Sequence, residues 1–253
     1  MRELSATSNQ GVTQDLLGPL LRGDAHRPRL TTYSGGFRTE LSTASLANWS
    51  AKVAGLLLDE LGCSSGDLVY VGVAAGWQSA PILLGTWWAG LTVTDDDTAD
   101  AVASFVPDNG DPMAGRSDEV FVVSGHPLGA PSQQVAAHQR DFTASVLPQA
   151  DRFSPRAALD ADHPALHTAV SLLSVTDVVR LATAVGLEPK SRLASNLPWT
   201  LPTGFINSLL AALAVDGSLL WSDSAGQQLI EQAVAERATV TAGFDVPGLP
   251  RLR

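Results

Sequence analysis

Two stretches of the chain carry the same signals in the same order, and this repetition limits the fold more than any other feature. In the first, Leu46, Trp49, Val53, Leu56, Leu57 and Leu61 recur at spacings of three and four, which predicts a helix over 42–61. Ser42 or Thr43 is placed to cap it, because a hydroxyl there accepts from the free N–H groups of the first turn. Gly62 is placed to end it in a left-handed stop. After the turn at Gly66-Asp67, the continuous apolar run 68–73 suits a strand buried on both faces. A helix over 78–89 then stops at Gly90, and 91–94 is a short strand. The second stretch has a helix over 176–185, with Ser174 or Thr176 as cap and Gly186 as stop. A strand over 192–196, a helix over 203–214 and a strand over 218–221 follow, then a helix over 227–237 and a strand over 239–241. Gly62 and Gly186 lie 124 residues apart, and Gly90 and Gly217 lie 127 apart. A near-constant offset across one order of elements predicts an α/β fold of two similar doubly wound, mainly parallel units.

Those units are expected over 31–150 and 165–253. Residues 1–30 read as an N-terminal extension, and 151–164, with Pro155 and Asp162-His163-Pro164, as a linker. Between the repeats the signals are weaker. Asp95, Asp96, Asp97 and Asp100 are expected to load the start of a helix, where negative charge meets the positive end of the dipole. Residues 108–115 read as a loop, 119–123 as a strand, 125–131 as a loop and 131–147 as a helix.

Composition excludes several functions. With 45% apolar and 17% charged residues, general disorder is ruled out. Lys and Arg number 16 against 26 Asp and Glu, a net charge of −10, so nucleic-acid phosphates and anionic membranes would be repelled. The apolar region 68–93 is broken by Gln78, Ser79, Pro81 and several glycines, which suits a strand, turn and helix rather than a membrane span. Residues 1–10 have no apolar stretch of the signal-peptide kind, and a cytoplasmic location is expected. Cys63 is alone, so neither a disulfide framework nor a thiolate zinc site is expected. His26, His126, His138, His163 and His167 form no metal-binding spacing, and no serine-nucleophile or dinucleotide motif is present.

The region 41–93, "LSTASLANWS…WWAGLTV", resembles the opening of the adenylate-forming superfamily, which includes acyl-CoA synthetases, peptide-synthetase adenylation domains and luciferases. Ser42, Leu46, Leu57, Gly62, Gly66, Asp67, Val69, Ala89 and Gly90 fall on matching positions. Residues 175–221, "VTDVVRLATAVGLEPKSRLASNLPWTLPTGF…", are similar to a later segment of that superfamily, and "AERATVTAGFDVPGL" to one beyond it. The chain is similar to a group of short, uncharacterised actinobacterial relatives of these enzymes. The resemblance implies the fold of the enzymes' N-terminal domain from about residue 31 onward.

The departures from that pattern bear on function. The superfamily's phosphate loop, TSGSTGxPKG, lets backbone N–H groups approach ATP and adds the charge of a lysine. It is expected just before the helix at 176, where this chain has "HTAVSLLSVTD", with Ser171 but no glycine or lysine. A worn copy at Ser124, Gly125, His126 and Gly129, through Pro131 and Ser132, follows a strand as a phosphate loop should, but lies too far from the helix that ought to follow it. At the superfamily's acyl-pocket motif PLFHxxG, Pro198 and Gly204 keep the frame, Leu201 stands where histidine is usual, and Trp199, Thr200 and Thr203 are candidate ligand contacts. The chain stops soon after Val246-Pro247-Gly248, before the adenine- and magnesium-binding segment, the hinge and the catalytic-lysine lid of the full enzymes. The expectation is a truncated, catalytically degenerate relative with no catalytic residue, no metal and no cofactor. It would act by binding a partner protein, a second copy of itself, or a small acyl or nucleotide-like ligand in the crevice near Ser124 and Ser171. The alternative is an AMP-forming carboxylate ligase completed by a partner in trans.

Overall fold

The computed structural model describes residues 11–108 and 117–252, so the first ten residues and most of the loop expected over 108–115 lie outside the described residues. An amphipathic helix, α1 (Val12–Arg22), comes first. The repeated order follows. A hairpin of β1 (Pro28–Ser34) and β2 (Phe37–Ser42) leads into α2 (Thr43–Gly55), extended by a π-helical turn at Leu56–Glu60, then β3 (Leu68–Val71), α3 (Ser79–Trp88) and β4 (Thr92–Thr94). After β5 (Ala103–Pro107), β6 (Glu119–Val123), β7 (Arg140–Asp141) and α4 (Phe142–Val146), a second hairpin forms from β8 (Pro164–Thr168) and β9 (Ser171–Ser174). It leads into α5 (Val175–Ala184), β10 (Arg192–Ser195), α6 (Thr203–Phe205), a π-helical turn at Ile206–Leu210, α7 (Ala211–Ala214) and β11 (Ser218–Ser222). The last described elements are α8 (Gly226–Ala235) and β12 (Val240–Ala242).

The strands form two mainly parallel sheets, in the orders β12-β10-β11-β1-β2 and β7-β6-β5-β3-β4-β8-β9. Only β2 and β9 run antiparallel to their neighbours. The sheets do not follow the division at 151–164. The first hairpin joins the sheet of the second repeat through β1 and β11, and the second hairpin joins the sheet of the first through β8 and β4. Each repeat completes the other.

Local chemistry explains where the elements begin. The Ser42 hydroxyl accepts from the Ser45 N–H at 3.2 Å, and Ser174 forms a reciprocal capping box with Asp177. The second repeat's left-handed stop before β11 is Asp216 (φ 55°), one residue before the glycine that marks it in sequence. No helix follows Asp95. The Asp96 carboxylate instead accepts from the Thr98 N–H at 2.9 Å and its hydroxyl at 2.6 Å, a local turn that competes with helix, and β5 takes the next residues. The helix expected over 131–147 shortens to α4, because Arg140 and Asp141 pair with β6 and Asp141 caps α4 through the Ala144 N–H at 2.6 Å.

The helices α1, α2, α3, α5 and α7 pack together in a central layer between the sheets. Inward residues of the seven-stranded sheet include Phe105 and Phe121, stacked at 5.3 Å, with Phe142 edge-on to Phe105. The alternate residues Val106, Val120 and Val122 face outward with Tyr70 and Val135, as a period of two requires. Ala233 of α8 packs with Ala194 and Leu220 on the outer face of the other sheet. The stretch expected as an N-terminal extension contains α1, whose Val12, Leu16, Leu17 and Leu20 are buried, while the Thr13 hydroxyl donates to Leu84 O. Among the described residues, no helix is long and apolar enough to cross a membrane.

Two charged centres hold the exchanged hairpin. Arg29, 1% exposed, donates from Nε to the Thr43 hydroxyl, from Nη1 to the carbonyls of Asp216 and Gly217, and from Nη2 to the Asp216 carboxylate at 2.7 Å. On the outer side, Glu236 accepts from Arg38 at 2.6 Å, from the Tyr33 hydroxyl at 2.9 Å and from Arg192 at 2.6 Å. The Arg38 hydrogen bond, then that from Tyr33, holds the Glu236 carboxyl down at about 2, against an ordinary 4.5. A carboxyl depressed in the folded state contributes stability that is complete above about pH 4.5 and is lost as pH falls towards 2. Urea denaturation of wild type and Glu236→Gln from pH 6 to 2 should therefore show wild type more stable at pH 6 and the gap closing at the acid end. A gap independent of pH would contradict this role.

Candidate functional site

In both sheets the parallel strands end on the same side, and the loops that leave them meet in a crevice. From the seven-stranded sheet come the segments after β3, β5 and β6, and from the other sheet the segment after β10. One cavity of about 280 Å³ lies against Val73–Ser79, Asp108 and Ser124–Pro127. A second, of about 320 Å³, is lined by Val71–Ala75, Asp95 and Pro198–Leu201. The two share Val73, Ala74 and Ala75. A third, of about 400 Å³, continues past Pro198 and Thr200 to Thr203, Gly204, Asn207 and Ser208.

The candidate residues therefore fall into three groups. Ser124, Gly125 and His126 line the first cavity, Trp199 and Thr200 the second, and Thr200, Thr203 and Gly204 the third. Gly129 sits beside the first group at φ 68°, and a Cβ there would lie 2.7 Å from the Trp77 ring, so packing and backbone conformation account for this glycine. Ser171 stands apart at the start of β9 and lines none of the three cavities.

The loop Ser124–Ser132 has the outline of an anion cradle, yet five of its N–H groups are engaged. Gly125 N–H donates to the Asp108 carboxylate at 3.2 Å, and Ser132 N–H to the Asp141 carboxylate at 2.6 Å. His126 N–H donates to the Ser124 hydroxyl at 3.0 Å, and Gly129 N–H to His126 O at 2.8 Å. Leu128 N–H donates to His126 Nδ1 at 3.2 Å, which puts the proton of the neutral ring on Nε2. The Pro127 carbonyl is pinned by Trp77 Nε1 at 2.8 Å and the Thr39 hydroxyl at 3.1 Å. Protein carboxylates thus hold two of the loop's amides.

The position expected for the phosphate loop, between β8 and β9, is a tight hairpin. Thr168 pairs with Ser171, leaving Ala169 and Val170 at the tip. The Thr168 hydroxyl donates to Ser171 O and accepts from Val170 N–H, both at 3.4 Å. Val170 is 86% exposed and Leu172 69% exposed. Two residues at the tip leave no concave run of amides.

At the acyl-motif position, Trp199 packs edge-on to Phe205 at 5.0 Å and near Trp221 at 6.3 Å. The Gly204 N–H donates to Thr200 O at 2.6 Å. A residue absent from the sequence-derived candidates joins this site: Gln78, at the start of α3. Gln78 and Trp199 are each 8% exposed, and Gln78 Nε2 and Trp199 Nε1 have no hydrogen-bond partner among the described residues. At the mouth, loss of solvent and then the adjacent Asp96 push the Asp95 carboxyl up. No Lys or Arg lines any of the three cavities. Among the described residues, no group of three or more His, Cys, Asp or Glu side chains is disposed to hold a metal ion. Cys63 lies elsewhere, and burial followed by the Asp67 charge pushes its thiol up to about 11, so it is no ready nucleophile.

Comparison with known proteins adds ancestry to this geometry. No family model matches the chain. A TIGR03089 family protein of Mycobacterium tuberculosis is 32% identical over 231 residues, covering 87% of this chain and 93% of the relative. Among solved structures, an acyl-CoA synthetase from Brucella canis superposes with a TM-score of 0.79 at 15% identity, covering 95% of this chain and 49% of that one. The anthranilate CoA ligase AuaEII, bound to anthranoyl-AMP, gives 0.77 at 13% identity, covering 96% and 51%. ATP-bound MatB from Rhodopseudomonas palustris gives 0.71 at 19% identity, covering 93% and 49%. The chain has the mixed parallel α/β fold of the N-terminal domain of adenylate-forming enzymes and spans about half the length of these ligases.

Gly204 shows how tightly the third cavity's wall is built. A Cβ there would lie 2.4 Å from Pro198 O and 3.0 Å from the Trp199 backbone, neither of which can swing aside. Gly204→Ala should lose about 1–3 kcal/mol of unfolding free energy through overpacking. Thr203→Ala, at an exposed neighbour, should stay within about 0.5 kcal/mol. Equal denaturation midpoints for the two variants would contradict the close approach.

Proposed function

We propose that this chain, which belongs to the TIGR03089 family, is a binding protein on the adenylate-forming scaffold, without carboxylate-activating chemistry of its own. The observation that carries this reading is the β8–β9 hairpin, closed by a two-residue tip where the resemblance expects a phosphate loop. Adenylation needs the triphosphate held and the charge developing on the α-phosphate stabilised. The crevice supplies no cation, and the loop beside it already has Asp108 and Asp141 on its amides. What remains is a crevice suited to a small acyl or nucleotide-like ligand, or to a segment of a partner protein. Ser124, Gly125, His126, Trp199, Thr200, Thr203 and Gly204 stand as its contacts.

The direct test is ATP–pyrophosphate exchange by the purified chain with a pooled set of carboxylic acids and magnesium. No exchange is expected above a blank without protein. Robust exchange would overturn the proposal. A second reading, a ligase completed by a partner in trans, is favoured by the retained crevice at the strand ends. It requires the chain itself to contribute to ATP binding, so a rise in melting temperature with magnesium-ATP would support it, since a ligand held by the native state stabilises by mass action.

Self-association belongs to the same proposal. Edge strand β9 presents unpaired backbone groups flanked by exposed Val170 and Leu172, and an antiparallel edge is complementary to a second copy of itself. Light scattering at micromolar concentration should give a dimer mass, and Leu172→Lys with Val170→Lys should return it to monomer. A wild-type monomer would sink this part of the proposal.

A further inference from the structure

The last described residues turn back onto the five-stranded sheet. Gly248, at φ 84°, lies in a turn in which Leu249 N–H donates to Val246 O at 3.1 Å. Val246 and Leu249 pack in the apolar cluster on the outer face of that sheet, so the turn is anchored. Beyond it, Arg251 bridges in parallel to Thr241 of β12. Thr241 N–H donates to Pro250 O at 3.0 Å, and Leu252 N–H to Thr241 O at 2.7 Å. Leu252 packs against the main core and lines the third cavity beside Ser195 and Ala242, the last residues of β10 and β12. That cavity shares Pro198 and Thr200 with the second, so Leu252 stands at the far end of the crevice.

This attachment is light. Pro250 and Arg251 are exposed, and Arg251 pairs with the exposed Asp245 at 3.1 Å, an ion pair of the kind that adds little in water. The two backbone bonds fall on Thr241, whereas β12 pairs with β10 along Val240–Ala242 whether or not the segment is present. Lifting the segment frees one N–H and one C=O of Thr241, and water can take up both. A sheet edge held by two backbone bonds and one half-buried leucine opens more readily than the strands behind it. No charged side chain lines the third cavity, so the place of the Leu252 side chain suits an uncharged apolar group.

We infer that residues 250–252 form a releasable strap over the far end of the crevice, and that an uncharged apolar ligand takes the place of Leu252 when the strap lifts. The inference rests on the crevice being a binding site, as in the reading above, and adds how access to it is controlled.

The test compares wild type, Leu252→Gly and a chain ending at Leu249. The probe is N-phenyl-1-naphthylamine, a neutral apolar dye whose fluorescence rises on leaving water. The chain ending at Leu249 should bind it about tenfold more tightly than wild type, the factor expected when the open form is about a tenth of the wild-type population. Leu252→Gly, which keeps both backbone bonds and removes the side chain, should fall between the two, and it carries the test if the shortened chain does not fold. In wild type, saturating probe should speed hydrogen exchange at the Thr241 and Leu252 amides and leave β11 unchanged. Equal affinity in all the chains, binding to none of them, or slower exchange at those two amides would overturn the inference. Pyrophosphate exchange fails separately: a chain that exchanges yet keeps this order of affinities loses the non-catalytic reading and retains the strap.

Discussion

The arrangement depends on a guanidinium buried at the junction of the two repeats. Taking such a charge out of water costs several kcal/mol unless its protons are met by acceptors. Arg29 meets this condition with four acceptors drawn from the start of α2 and from the turn before β11. One side chain therefore fixes three things together: where β1 begins, how α2 leaves the hairpin, and how the second repeat turns into its central strand. Lysine could not replace this fork, because its donors radiate from a point rather than lying in a plane. With β1 pinned against β11, the sheets hold their loops together along a single crevice.

The crevice's electrostatics follow from how its loops are held. Backbone amides at strand ends are potential anion sites wherever they stay free. Here Asp108 and Asp141 use amides of the Ser124–Ser132 loop for structural bonds, which order the loop and leave a negative rim. The β8–β9 tip reaches a similar end by another route, with the threonine hydroxyl and the strand ladder closing it. The rim of the crevice thus carries Asp108 and Asp95 and neither lysine nor arginine.

Much of the fold could be read along the chain because its signals are local. Ser42 and Ser174 cap where their hydroxyls predict, and the strands at 68, 119, 192 and 218 follow from apolar runs. The hairpins were less legible. Gly35-Gly36, both at positive φ, carried the usual turn signature, but Ala169-Val170 has no turn chemistry and owes its shape to pairing with β4. α1 escaped because its apolar face meets helices from both repeats, and β5 because the acidic run before it resembles a helix start. In the site, the acyl-motif residues and the Ser124 loop were visible as motifs. The engagement of that loop's amides by Asp108 and Asp141 was not, since it depends on how separate strands lie side by side. Gln78 went unnoticed because a lone glutamine carries no signature until burial leaves its amide without a partner.

The exchanged hairpins also impose an order of events on biosynthesis. Leu30 of β1 pairs with Leu219 of β11, so the first hairpin emerges from the ribosome 189 residues before its parallel neighbour. At bacterial-scale elongation of about 5–20 residues per second, the nascent chain carries that open edge for about 10–40 s. Neither repeat can finish its sheet alone, because each sheet takes a hairpin from the other repeat.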